Sequence, residues 1–326
     1  MYENGQGVLQ NYAEAVKWFR KAAEHGDANA QNNLGLMYSN GKGVAQDYVE
    51  AMKWFRKAAE QGNANAQNTL GIMYDKGHGV AQDYVEAVKW YRKAADKNHA
   101  KAQYNLGIMY ENGQGVLQNY AEAMKLYRKA ADQGVANAQH NLGMGYYTGQ
   151  GVAQDYTEAV KCFLKAAKQG FAEAQNDLGV MYKNGKGVAQ DYVEAAKWYH
   201  KAADQRVAQA QYNLGLLYYQ AFGVDLDDVE AVNWFRKSAD QGFSDAEYML
   251  GLMYESGQGV QKNDVEAMKW FQKAADQGFA NAKNALNTIQ ERKKREEAST
   301  KKGWEITLGT AAAVILARLV FWGRFF

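Results

Sequence analysis

The chain has 326 residues, 38 basic and 36 acidic side chains, a formal charge of +2, no proline and one cysteine. Charges of both signs are interspersed, which excludes the basic stripe of a nucleic-acid-binding surface. The single cysteine, Cys162, excludes an intramolecular disulfide framework. The 32 glycines do not mark low complexity, because the pair Leu-Gly recurs every 36 residues at Leu34-Gly35, Leu70-Gly71, Leu106-Gly107, Leu142-Gly143, Leu178-Gly179, Leu214-Gly215 and Leu250-Gly251. An undisturbed period of this size predicts helix pairs stacked in a solenoid rather than one globular core.

Met1 aligns with Met37, Met73 and Met109. The chain is therefore expected to enter near the end of a first helix, and roughly Tyr12 to Glu24 forms the second helix of that unit. Met1 to Gly5 has neither the basic start nor the apolar core of a secretory signal. The first whole unit is 27–62. Ala30, Leu34 and Tyr38 are four apart, with Gln31 and Gly35 beside them, which predicts helix A over 28–39. A helical glycine costs roughly 1 kcal/mol relative to alanine, so its recurrence implies a close approach by a neighbouring helix. Asn40-Gly41-Lys42-Gly43 breaks the helix, and Val44 fills the space under the turn. Asp47 with Glu50 three residues later reads as a capping box opening helix B over 48–61. Helix B is expected to bury Ala51, Trp54 or Phe55, and Ala58, and to expose Lys53 and Lys57. Gly62 ends it; Asn98 and Arg206 stand at the equivalent place in other copies.

The residues Ala30-Gln31, Leu34-Gly35, Met37-Tyr38, Gly41-x-Gly43-Val44, Asp47-Tyr48, Glu50-Ala51, Lys53-Trp54-Phe55 and Ala58-Ala59 resemble the Sel-1-like repeat family, relatives of the tetratricopeptide repeats. The resemblance covers about residues 1–290. It implies an all-α, right-handed superhelical solenoid of 36-residue helix-turn-helix repeats, with seven full repeats and half repeats at each end. It also implies a protein-binding scaffold. Relatives with two cysteines per repeat are described as binding β-lactam antibiotics; this chain lacks those cysteines. Departures from the pattern are local: Ala221-Phe222-Gly223 replaces Gly-x-Gly, Asp228 replaces Tyr, and Leu126 and Cys162 replace Trp, leaving the middle repeats with less core volume.

Beyond a lone helix A near 280–290, residues 291–303 read as an exposed charged helix extension or linker. Residues 304–326 are apolar and long enough for a bilayer core, with Trp304 and Trp322 placed as interfacial anchors and a basic run before them; Arg318 opposes this reading. The expectation is a single-pass membrane helix at the C-terminus with the repeats on the cytoplasmic side. The alternatives are a soluble cytoplasmic protein, or a secreted or periplasmic one if the natural start lies upstream of Met1.

No motif predicts catalysis, a cofactor or a metal. Gly41-Lys42-Gly43 lacks the spacing of a phosphate loop. His25, His78, His99, His140 and His200 have no metal-ligand spacing. The candidate site lies on helix A opposite the core stripe, at positions 29, 32, 36, 39 and 40. In the related tetratricopeptide repeats this face lines the concave groove. Position 32 and its equivalents vary between copies while the core positions barely do. Tyr104, His140, Tyr147, Tyr212, Tyr219 and Tyr248 supply exposed aromatic or adaptable side chains there, suited to a protein or peptide partner. The expected function is a non-catalytic interaction scaffold binding partners on this face. A reading of another class is an envelope-associated hydrolase or a glycan- or antibiotic-binding protein; a third is a structural spacer.

Overall fold

The computed structural model describes residues 10–322, with side chains described over 10–302. Among these residues all regular structure is α-helical. Two compact units divide the chain, 1–191 and 192–326. The first holds α1 (Tyr12–Glu24), α2 (Ala28–Asn40), α3 (Tyr48–Glu60), α4 (Ala64–Lys76), α5 (Tyr84–Asp96), α6 (Ala100–Asn112), α7 (Tyr120–Asp132), α8 (Ala136–Thr148), α9 (Tyr156–Lys168) and α10 (Ala172–Asn184). The second holds α11 (Tyr192–Asp204), α12 (Ala208–Gln220), α13 (Asp228–Ala239), α14 (Ser244–Ser256), α15 (Asp264–Asp276) and α16 (Ala280–Trp322). Even-numbered helices are A helices and odd-numbered ones B helices, and within each unit every helix packs on the next in sequence. An A helix and the B helix that follows it form the closer pair. This is the all-α solenoid of 36-residue units that the period predicts, and the observed α2 and α3 match the expected 28–39 and 48–61 within a residue at each end.

The Leu-Gly period has a steric cause. A Cβ on Gly35 would stand 2.8 Å from the ring of Phe55, inside van der Waals contact. Gly71 with Tyr91, Gly107 with Tyr127 and Gly143 with Phe163 repeat the contact in the first unit, and Gly215 with Phe235 and Gly251 with Phe271 in the second. Phe55, Tyr91, Tyr127, Phe235 and Phe271 are thereby fully buried, and burying such a side chain stabilises by about 1.5–3 kcal/mol. The second glycine of each turn is equally constrained. Gly43 has φ +73°, and a Cβ there would overlap the Tyr12 carbonyl of the preceding B helix. Ala221, at φ +57°, is the alanine that replaces a turn glycine, and Asn98 and Arg206 hold the left-handed conformation at +59° and +67°.

The capping box is half-made. Asp47 Oδ1 accepts from the backbone N–H groups of Val49 and Glu50, both at 2.9 Å. The Glu50 carboxylate does not return the bond: it accepts from Lys53 at 2.9 Å and from the Trp54 indole at 3.0 Å. The Asp47 N–H donates instead to the Tyr38 carbonyl, 3.0 Å away, which ties the start of each B helix to the A helix before it. A buried ladder runs between helices. Gln31 Nε2 donates to the Ala23 carbonyl (3.0 Å), and Gln61 Nε2 donates to Gln31 Oε1 (2.7 Å). Gln67, Gln139, Gln175 and Gln211 make the same bond to Ala59, Ala131, Ala167 and Ala203. A polar side chain buried in this way is stabilising only because it is bonded.

The C-terminal expectations change. α16 runs unbroken over 43 residues, so the charged stretch 291–303 is helical, and Arg292 is bonded to Glu255 at 3.3 Å and Asp264 at 2.9 Å. Among the described residues no helix is long and apolar enough to cross a membrane, which overturns the single-pass span and the placement of the repeats on one side of it. The uncharged run between Glu305 and Arg318 is only 12 residues, Ile306 to Ala317. At about 1.5 Å per residue it reaches roughly 18 Å, short of the ~30 Å bilayer core. Residues 323–326 of the expected segment, and the side chains of 303–322, lie outside the described residues.

Candidate partner-binding face

Positions 29, 36 and 40 of α2 are exposed, as the helix phase predicts, but position 32 turns toward the core: Asn32 is 7% exposed. Its equivalents Asn68 and Asn176 are also buried. Asn32 and Asn68 each lie one turn from a helical glycine, Gly35 and Gly71, that admits a B-helix ring, Phe55 and Tyr91. Where this position is aromatic, the side chain stacks on that ring. Tyr104 is 5.8 Å from Tyr127 in the first unit, and Tyr212 and Tyr248 are 5.9 and 5.7 Å from Phe235 and Phe271 in the second. All six predicted residues are therefore half-buried rather than freely exposed. Burial raises the phenols of Tyr104 and Tyr212 above the usual tyrosine range.

A second partner ring was missed in reading the sequence. Tyr212 also contacts Phe243 (5.3 Å), Tyr248 contacts Phe279 (5.1 Å) and His140 contacts Phe171 (5.1 Å). These phenylalanines occupy the place just before the next A helix. In the early repeats that place holds Asp27, Asn63 and His99, whose side chains accept the N–H of the third helical residue. Phe171 and Phe243 make no such cap. The signal was available in the sequence: position 32 is Asn where the following cap is Asn63 or His99, and His or Tyr where it is Phe171, Phe243 or Phe279.

In the first unit His140 and Tyr147 come together with groups not predicted. His140 Nε2 lies 2.8 Å from Asp177 Oδ2, with the two side chains 16% and 29% exposed. Asp177 borders an apolar hollow of about 110 Å³ lined also by Met144, Tyr147, Phe163, Val180 and Met181. The Lys186 ammonium donates to the Tyr147 hydroxyl at 3.1 Å. Tyr104 does not line this hollow. In the second unit Tyr212 and Tyr219 pack on one cluster, with Val232 and Leu250, and Tyr248 on the next, with Phe271 and Leu286. The six residues thus fall into separate patches.

Burial pushes the Cys162 thiol up to about 11, so it stays protonated and unreactive. Among the described residues no group of three or more His, Cys, Asp or Glu could hold a metal. His140 with Asp177 has the form of an oriented base, but among the described residues its ring makes no hydrogen bond besides the one to Asp177, whereas a hydrolase also needs a nucleophile within reach of that ring.

The Sel1 repeat pattern matches residues 1–27, 28–63, 64–99, 100–135, 136–171, 172–207, 208–243 and 244–279, in step with the helix pairs. The chain belongs to the Sel1 repeat family. Among solved structures, this Sel1 repeat chain is similar to a protective antigen of uropathogenic Escherichia coli. That match has 40% identity and a TM-score of 0.80, covering 84% of this chain and 59% of that one. It is also similar to a Sel1 repeat protein of Oxalobacter formigenes, at 35% identity and a TM-score of 0.68, covering 85% of this chain and 80% of that one. Comparison with curated proteins gives no match.

Proposed function

We propose that this Sel1 repeat chain is a non-catalytic scaffold that binds a protein or peptide partner on its A-helix face. The observation that carries the proposal is the apolar hollow beside Tyr147 and Asp177: an opening of about 110 Å³ with a charged edge, sized for one side chain of a partner and able to orient it by hydrogen bonding. His140 holds Asp177 in place there, and Tyr212, Tyr219 and Tyr248 form further patches on the A helices of the second unit. Several modest contacts spread along repeats are the usual way such scaffolds bind.

The test uses a partner captured by crosslinking in native cells and then purified. Tyr147→Ala with Asp177→Ala, and separately Tyr212→Ala with Tyr248→Ala, are expected to weaken its affinity by tenfold or more. Lys53→Ala and Lys89→Ala on the B helices leave it unchanged. Because the tyrosines are half-buried, circular dichroism must show each variant folded. Unchanged affinity in both folded double variants, with loss in the lysine variants, moves the interface to the B helices.

A further inference from the structure

Five B helices share one device on their outer surface. A tryptophan lies beneath the ammonium of the lysine three residues on: Trp54 under Lys57 at 4.3 Å, Trp90 under Lys93 at 4.0 Å, Trp198 under Lys201 at 4.0 Å, Trp234 under Lys237 at 3.6 Å and Trp270 under Lys273 at 4.0 Å. These are cation–π pairs. In α3 the same indole donates its N–H to Glu50 Oε1, while Glu50 Oε2 holds Lys53.

On α7 every part of the device is present except the ring. Leu126 stands in the place of the tryptophan, with Glu122 and Lys129 kept. Glu122 Oε2 holds Lys125 at 3.0 Å, as Glu50 holds Lys53. Among the described residues, Glu122 Oε1, the atom that would receive an indole N–H, accepts no hydrogen bond, and the Lys129 ammonium has neither a ring nor an anion. A cleft of about 490 Å³ opens at this place, lined by Glu122, Leu126 and Lys129 and floored by Met124 and Val152. The Met124 sulfur occupies the space beside Gly145, which stands where the neighbouring A helices carry Met109 and Met181. The next B helix adds no indole either, because it carries Cys162.

We infer that the α7 cleft binds a tryptophan side chain of a protein partner. The indole lies on Leu126 beneath Lys129, with its N–H directed at Glu122 Oε1. Five repeats of the same chain supply the lysine-over-indole pattern for the occupant, and α3 supplies the glutamate that receives the indole N–H. The site lies on a B helix, so it stands or falls separately from the A-helix face.

N-acetyl-tryptophanamide titrated into the full chain, followed by amide chemical shifts, is the test. Saturable shifts confined to residues 121–132 and 151–152 are expected, with a Kd near the millimolar range of a single side chain. N-acetyl-leucinamide produces none. Leu126→Trp fills the cleft with the residue six other B helices carry, and should abolish the shifts while keeping the fold. Lys129→Ala, an exposed change, should weaken binding by about two- to fivefold. The inference is overturned if no saturable shifts occur there, or if they persist undiminished in folded Leu126→Trp. Should that variant not fold, undiminished binding by Lys129→Ala overturns it.

Discussion

The early and late A helices begin alike in space and differ in what holds the beginning. α2, α4 and α6 are capped by side-chain hydrogen bonds from Asp27, Asn63 and His99. α10 and α14 follow Phe171 and Phe243, which cap nothing and stack instead on His140 and Tyr212 of the previous A helix. A cap of the first kind contributes about 1 kcal/mol. An aromatic pair contributes about 0.5–1.5 kcal/mol beyond its buried area. The same backbone is thus reached by a local, directional contact in one region and by a contact between successive units in the other. Helix starts in a repeat array can therefore be conserved in position while their chemistry is exchanged.

The largest effect should not distinguish the regions. Leu106→Ala and Leu250→Ala each remove a buried side chain and are expected to cost about 2–5 kcal/mol by denaturant unfolding. A difference beyond that range between them would break the claim that the repeats of the two regions are packed alike. Tyr248→Ala should come next, at roughly 2–4 kcal/mol, because it strips the cover from both Phe271 and Phe279. Asp27→Ala should cost only about 1 kcal/mol and act on the start of α2, read as faster amide exchange there. If Phe171→Asp proves as stable as the native chain, the stacking has no advantage over a cap and the comparison fails.

The smallest effect concerns Glu247, which replaces the ladder glutamine in α14. Burial raises its carboxyl above the usual glutamate range, and Gln277 donates to it at 2.8 Å. Folding therefore favours the protonated form. The stability it contributes is fully present below the unfolded glutamate value and is lost as pH rises through the raised folded value. Glu247→Gln should accordingly be more stable than the native chain at pH 7, with the advantage vanishing near pH 4 in thermal melts.

Element positions were legible because each boundary has its own chemical mark: Asp47 and its copies open B helices, and Gly41 and its copies close A helices in the left-handed conformation. The helical glycine announced close approach, which Phe55 supplies; the turn glycine Gly43, read only as a helix breaker, also meets the Tyr12 backbone. The site was less legible. The sequence reading set position 32 opposite the core stripe with positions 29, 36, 39 and 40, yet Asn32 and its equivalents Asn68 and Asn176 are buried. The hollow at Asp177 depends on side chains from α8, α9 and α10, a conjunction that no single repeat displays. The C-terminal segment was misread because its length and flanking tryptophans were weighed above the short uncharged run that ends at Arg318. No proline or glycine interrupts 280–302, so of the two readings of the charged stretch, helix extension or linker, α16 follows the first.

Gly79 seated against the backbone of Tyr48 also bears on how such a chain changes over generations. That contact joins a turn to the preceding B helix, α3, while Gly71 of α4 meets Tyr91 of the B helix that follows, α5. Both must close at once, so the stretch between them has no slack. A gene made of near-identical copies can lose or gain length by unequal crossing-over, but only a change of one whole unit leaves every turn facing its own seat. Growth and shrinkage therefore proceed in steps of 36 residues, the spacing the seven Leu-Gly pairs still keep.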